Sequence, residues 1–454
     1  MQRIQSYDTA DTICAIATPE GVGAIGVIRI SGPKAIEHTQ ACFSKKNLIQ
    51  QPGHTAHFGK IVDDQRVIDE VLVTLFRAPK SYTGEDTIEI SCHGSPYILQ
   101  QVMQLLVQKG CRSAQPGEFT LRAFLNKKLD LSQAEAVADL IASNSEENHR
   151  SAMMHMRGGF SKQLADMRER LINFASLIEL ELDFAEEDVE FAKRPELIAL
   201  VANMMDVIQS LVNTFAYGNA IKQGIPTVIV GKPNAGKSTL LNALLNEERA
   251  IVSDIAGTTR DTIEEVFIID GISFRLIDTA GIREHAADSI EEIGIERTLE
   301  KIEQASIVIY LFDAAHTPEQ EWRADITKLS TQKTLVIPVA NKTDLTSQFS
   351  HTDVIAISAK THTGMDALRK AIINTVRNDS VKQDLIITNV RHYEALKQAH
   401  EALQQVLHGI DLHLSGELLA FDIRKALYHL GEITGSVSTD DLLANIFSKF
   451  CIGK

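Results

Sequence analysis

From Ile225 to Val230 the chain reads IPTVIV, and from Lys237 it reads KSTLLNALLN. The first stretch has the length and apolar density of a buried strand, the second the spacing of a helix, and the polar run GKPNAGKS joins them. The same order of apolar strand followed by polar loop recurs at FRLI before DTAG, TLVIPVA before NKTD and VIAI before SAK. This pattern predicts an α/β unit over 218–384. Upstream, short β-runs (TICAIA, GAIGVIRI, VLVTLF, TIEIS) alternate with helical stretches such as PYILQQVMQLLVQKG, predicting a compact α+β domain over 1–128. From Leu131 the spacing turns helical, is interrupted by the acidic FAEEDVEFAKRPE, and resumes to Tyr217; helices return from about Val390. The expected fold class is multidomain α+β and α/β. A helical domain made of 129–217 and 385–454 would carry the α/β unit as an insertion, which a surface loop with neighbouring ends tolerates.

Composition narrows the partners. The 454-residue chain carries a formal net charge of −15, so no general basic surface is available for nucleic acid, and any RNA contact must be local or shared. Five cysteines without a CxxC pair read as reduced thiols rather than a zinc site or disulfide frame. Met153, Met154 and Met156 read as helical core. No apolar run approaches membrane-spanning length, and MQRIQSYDTADT lacks a signal-peptide core. The expectation is a cytoplasmic protein without a membrane partner.

The junction GKPNAGKS is a phosphate loop in its proper strand-to-helix context. Gly231 and Gly236 let backbone N–H groups turn inward on a polyphosphate. Asn234, Ala235, Gly236, Lys237, Ser238 and Thr239 are the candidate phosphate contacts, with Lys237 reaching the terminal phosphates and Ser238 ligating Mg²⁺. In NKTD, Asp344 is the candidate to accept both N–H donors on one edge of guanine. Asn341 would tie its loop down, and the Lys342 stem would pack on the ring. Ser358, Ala359 and Lys360 would support the guanine carbonyl, although an N-cap is the plainer role for SAK. Asp278, Thr279, Ala280 and Gly281 would serve Mg²⁺ and the γ-phosphate, and Thr259 in GTTRD (Gly257–Asp261) would close on Mg²⁺ when that phosphate is present. These segments stand in the order and spacing of a Ras-like P-loop GTPase domain. Ile282 follows Gly281 where Ras-like proteins carry a water-orienting Gln, so hydrolysis needs another device. Asn234 either shapes the loop or holds a monovalent cation beside the phosphates.

The chain ends DDLLANIFSKFCIGK, and Lys454 is a poor last residue for a prenylation box at Cys451. With RISG, SYTGED, HG, PGEFTLRAFLNKKLDLSQAEAVADLI, DIAGTTRD, DTAGIRE and IGIER, this tail resembles the tRNA-modification GTPase family MnmE (TrmE) over essentially the whole length. The resemblance implies a homodimeric, potassium-activated GTPase, its N-terminal domain binding folate and dimerising. With the FAD-dependent partner MnmG, in a heterotetramer, the family adds an aminomethyl or carboxymethylaminomethyl group to carbon 5 of the wobble uridine (position 34) of certain tRNAs. It implies 5-formyltetrahydrofolate or a related one-carbon folate held by Arg29, Glu89, Lys128 and Lys454. Without it, Arg29 and Glu89 read as surface or strand-pair charges. Potassium would be held by Asn234, Ser253, Ile255 and Thr258, within a GTP-contacting segment that also includes Asp254, Ala256 and Gly257. Glu291, or its neighbour Glu292, would position water, with Arg283 and Cys451 as further catalytic candidates; a packed structural thiol is the alternative for Cys451. A regulatory GTPase of ribosome assembly is the rival reading, and such proteins usually add a basic module that neither tail provides.

Overall fold

The computed structural model describes residues 10–44, 47–183, 193–248, 265–277, 302, 304–330, 334–346, 349, 351–376 and 385–453. The chain separates into two compact units: Met1–Ala138 with His155–Leu180 and Ile423–Lys454, and Asp139–Met154 with Glu181–Asp422.

The first unit is built on a six-stranded sheet. Its strands are β1 (Ile13–Ile16), β2 (Ile25–Ser31), β3 (Thr55–Asp63), β4 (Arg66–Phe76), β5 (Thr87–His93) and β6 (Arg112–Ser113). They lie in the order β3-β4-β5-β2-β1-β6, antiparallel except for the parallel β1–β6 edge. Alternation along β4 and β5 sends Val71, Val73, Leu75, Ile88 and Ile90 to one face, where Leu99, Val102, Leu105 and Leu106 of the helix Pro96–Gln108 cover them. Gly26 permits that close approach, because a Cβ there would lie 2.8 Å from the Leu99 side chain. Cys14, Cys42, Cys92 and Cys111 are buried in the same core as free thiols. A second cluster joins Leu121 and Leu131 to Leu443, Phe447 and Phe450 near the chain's end. The helix Asp440–Phe447 is started by Thr439, whose Oγ1 accepts the Leu442 N–H, and by Asp440 and Asp441 in its first turn.

The second unit holds β7 (Ile225–Val230), β8 (Glu265–Ile269), β9 (Ile272–Leu276), β10 (Ile307–Asp313), β11 (Leu335–Asn341) and β12 (Ile355–Ala356), in the order β12-β11-β10-β7-β9-β8. All pairings are parallel except the β8–β9 hairpin, turned by Asp270 and Gly271 at positive φ. The sheet is buried on both faces, as its uninterrupted apolar strands require. Leu240, Leu241 and Leu244 of the helix Lys237–Glu248 and Leu368 and Ile372 of Met365–Val376 cover one face. Trp322 of Glu319–Leu329, stacked on Phe312, covers the other.

The helix expected to reach Tyr217 is continuous from Arg194 to Gln223 and delivers the chain through Gly224 into β7. By length and composition it is apolar enough to cross a membrane. Here its apolar face is buried through Leu197, Leu200, Met204, Ile208 and Leu211. Phe215 stacks on Tyr393 of the helix Val390–Asp411 at 4.3 Å, and Thr214 Oγ1 accepts the Ile387 N–H at 3.0 Å. Gly218 lies where a Cβ would collide with the Ile387 carbonyl.

Candidate functional site

The phosphate loop leaves β7 at Gly231, where any Cβ would overlap the Leu311 carbonyl oxygen of β10. Asn234 adopts φ 61°, which its short polar side chain tolerates better than most residues. Gly236 stands at φ 99°, and a Cβ there would fall on Asn341 Nδ2. The helix then starts at Lys237, with Ser238 and Thr239 exposed in its first turn. Lys237 Nζ donates to the carbonyls of Gly231 (2.6 Å) and Lys232 (3.0 Å), so the ammonium already lies over the loop. Burial lowers its pKa from the ordinary lysine value, a penalty that a bound polyanion would offset.

Three loops converge at the carboxyl ends of the parallel strands. Asn341, the last residue of β11, donates from Nδ2 to the Ala235 carbonyl at 2.8 Å and accepts the Ala359 N–H on Oδ1 at 3.0 Å. One buried amide thereby joins the phosphate loop, the NKTD loop and the SAK loop. Lys342 follows at φ 62°, and Asp344 is exposed beside it. Ser358 is buried; its N–H donates to the Thr363 carbonyl and its Oγ accepts the Thr361 N–H at 3.3 Å. Lys360 points to solvent. The other expected GTP and metal contacts (Ser253, Asp254, Ile255, Ala256, Gly257, Thr258, Thr259, Asp278, Thr279, Ala280 and Gly281) lie outside the described residues, as do Arg283, Glu291, Glu292 and Lys454.

In the first unit Arg29 and Glu89 are direct cross-strand partners on β2 and β5. Arg29 donates from Nε (3.0 Å) and Nη2 (2.8 Å) to Glu89 Oε1, and from Nη1 to the Gly453 carbonyl at 3.2 Å. The C-terminal tail therefore docks beside this pair. The guanidinium carbon lies 5.4 Å from the Tyr82 ring centre and 5.8 Å from that of Phe119. Lys128 Nζ donates to the Pro79 carbonyl at 3.1 Å, and its stem passes Gly84 in the same loop that carries Tyr82. Cys451 is exposed, while its carbonyl accepts the Gly117 N–H.

Sequence reasoning did not single out the residues that build this region. Arg122, 1% exposed, donates to Asp11, Glu85 and Glu118, and Arg112 donates to Asp11 and Glu118. Glu85 also accepts from Ser31 Oγ at 2.7 Å. This network fastens RISG, SYTGED and PGEFTLR together. The three motifs were visible as words; nothing in their spacing says that they touch.

A parallel sheet with a glycine-bearing loop between β7 and its following helix, and a lysine over that loop, defines a P-loop nucleotide-binding protein. Two family models cover most of the chain: "GTP-binding protein TrmE N-terminus" matches residues 12–128 and "MnmE helical domain" matches residues 131–451. The chain belongs to the MnmE family of tRNA modification GTPases, and is a GTP hydrolase. A tRNA modification GTPase MnmE from Cytophaga hutchinsonii is 55% identical over 451 residues, covering 98% of each chain. Proteins of the same name from Christiangramia forsetii and Bacteroides thetaiotaomicron are each 54% identical, with 98% of this chain and 99% of theirs covered.

Proposed function

We propose that this chain is a potassium-activated GTPase that works with an FAD-dependent partner, MnmG, to add an aminomethyl or carboxymethylaminomethyl group to carbon 5 of the wobble uridine of certain tRNAs. The single observation that carries the reading is near-complete alignment at 55% identity to a tRNA modification GTPase, rather than similarity confined to the nucleotide site. Its working form is a cytoplasmic homodimer that pairs with MnmG. The domain division we favour is 1–128, 129–217 with 385–454, and 218–384.

At the nucleotide site, Lys237 exchanges its loop carbonyls for the β- and γ-phosphates, and Asp344 accepts the two guanine donors while Asn341 holds the loops in register. The donors present suit a hard cation, since Ser238 is an exposed hydroxyl at the helix start; it and Thr259 would hold Mg²⁺. Asn234 is exposed at the loop's apex and would hold K⁺ with Ser253, Ile255 and Thr258. That cation supplies positive charge where other GTPases use an arginine finger. Because Ile282 cannot hydrogen-bond water, Glu291 is assigned to orient it, with Arg283 nearby in sequence.

In the N-terminal domain, Arg29, Glu89, Lys128 and Lys454 would hold a one-carbon tetrahydrofolate. The fit is chemical: a carboxylate suits pterin donors, cations suit a glutamate tail, and the partly exposed Tyr82 sets an aromatic ring beside Arg29. The group supplies the one-carbon unit when bound. Cys451 is exposed at the docked tail and available for the uridine chemistry.

Nucleoside analysis of bulk tRNA from a deletion strain tests the reading. Loss of the modified wobble uridine, restored by the intact gene, is expected; unchanged modification would sink it.

A further inference from the structure

One carboxylate at the nucleotide site belongs to none of the expected motifs. Asp313 is the last residue of β10 and lies in register with Asn341, the last residue of β11. The two strand ends are tied again by the Ala314 N–H, which donates to the Asn341 carbonyl at 2.8 Å. Asp313 Oδ1 accepts the Ala315 N–H at 2.9 Å, which sets the carboxylate's orientation from its own backbone. Its Oδ2 accepts Lys342 Nζ at 2.8 Å and lies 3.2 Å from His316 Nδ1. The side chain is 15% exposed and that of Lys342 is 31% exposed, so the pair is sheltered more than a typical surface ion pair. Burial pushes the Asp313 carboxyl up, but the Lys342, Ala315 and His316 hydrogen bonds together outweigh it and hold the carboxyl below its ordinary range.

The geometry of Lys342 gives this contact its meaning. At φ 62° a non-glycine residue sits in a sparsely populated region. The side chain is pinned at both ends, by that backbone turn and by Asp313. Its four-methylene stem is therefore held as an apolar strip next to Asn341, with the phosphate loop fastened to the other side of the same asparagine. A free lysine in this position would have to give up rotamer freedom when a base packed on it; a pinned one has already done so.

We propose that Asp313 is a positioning residue for purine-base binding: it fixes the Lys342 stem as one wall of the base site before nucleotide arrives. The proposal rests on the base being read beside Asn341 and Asp344. The Asp313 carboxylate bonds to Ala315, His316 and Lys342 rather than to the phosphate loop, so its removal raises the cost of ordering the wall without altering the hydrolytic step.

The test is a fluorescent-GDP titration of the full chain with Asp313→Ala, Asp313→Asn, Lys342→Ala, the Asp313→Ala/Lys342→Ala double variant and Asp344→Asn. Asp313→Ala is expected to weaken GDP about tenfold, the size of one lost charged hydrogen bond. KM for GTP should rise by a similar factor, with kcat at saturation within about twofold. Asp313→Asn keeps the Ala315 contact and should show the same defect at native melting temperature, separating loss of charge from misfolding. In the Lys342→Ala background, Asp313→Ala should have no further effect. Additive losses, or GDP affinity unchanged in both Asp313 variants, would overturn the positioning role. Asp344→Asn reports on the base reading itself: a switch of preference from GDP to xanthosine diphosphate upholds it whatever Asp313 does. Undiminished GDP affinity in that variant refutes the base reading and the proposal with it.

Discussion

Asn341 and Ala235 are 106 positions apart and joined by a 2.8 Å hydrogen bond, through which the base-side loop holds the phosphate loop in place. The amide is buried and its oxygen is also engaged, by the Ala359 N–H. Asn341→Ala leaves a buried carbonyl and a buried N–H without partners, each costing about 1–3 kcal/mol. GTP and GDP affinities should fall together by at least tenfold, and thermal melting should drop with them. Titration calorimetry beside a melting curve checks both. Asn341→Asp keeps the acceptor but not the donor, and should fall between.

Gly236→Ala should be more severe for nucleotide than for folding. The added methyl meets Asn341 Nδ2 at a backbone angle unfavourable to any L-residue. Displacing that amide breaks the same node from the other side. The expected result is loss of measurable GTP turnover, with the helical content seen by circular dichroism retained.

Arg122 is the network residue whose loss should be felt most in the first unit. Arg122→Met leaves Glu85, Glu118 and Asp11 without their shared cation, a change of about 3–5 kcal/mol for a broken buried ion pair. Denaturant melts of the full chain should show the transition of this unit shifting to lower concentration while GTP turnover persists.

The same network ties stability to pH. Burial pushes the Glu118 carboxyl up, but hydrogen bonds from Arg112 and the Gln115 N–H, with the charges of Arg112 and Arg122, hold it below its ordinary value. Asp11 is also held low: Arg112 and Arg122 outweigh the effect of its burial. A carboxyl with a depressed folded pKa stabilises the fold above its unfolded pKa and loses that contribution as pH falls through the folded one. Melting temperature should therefore hold above about pH 5 and decline below about pH 4. Arg122→Met should show a shallower acid-side decline.

Thiol titration separates the cysteines. Four are buried and Cys451 is exposed. Burial pushes the Cys42 and Cys92 thiols up to about 11, further suppressing their thiolates. An aromatic disulfide reagent should consume one thiol per native chain and five after denaturation, and Cys451→Ser should abolish the native reaction.

The elements were legible because each is a local matter. IPTVIV, GKPNAGKS and STLLNALL specify strand, loop and helix through residue type and spacing. NKTD could be placed at a strand end because the apolar run before it stops at Asn341. The long helix runs past the expected stop at Tyr217 to Gln223. Its apolar periodicity continues through Ile221, and only packing of Gly218 against Ile387 and the turn at Gly224 show where the helix passes into β7.

Arg29 shows where local reading ends. As a strand residue it could be a pairing charge or a ligand contact, and the structure shows the first directly: Glu89 lies opposite it in register. Its further neighbours, Tyr82, Phe119 and the Gly453 carbonyl, come from distant stretches of the chain. Asp313 is silent in the sequence for the same reason, since DAA after an apolar strand carries no sign that a lysine from the next strand's loop will reach it.

The sequence by itself determined the chemistry on offer: a phosphate loop with Asn234 and Lys237, a guanine-type NKTD, Ile282 in place of a water-orienting Gln, and a tail ending CIGK. Only the tertiary structure decided which groups meet. Asn341 joins three loops, Arg122 ties its own helix to Asp11 and Glu85, Asp313 pins Lys342, and the tail comes to rest on Arg29. The physical reason is that hydrogen bonds and ion pairs act over a few ångströms of space, whereas residue spacing measures distance only along the chain.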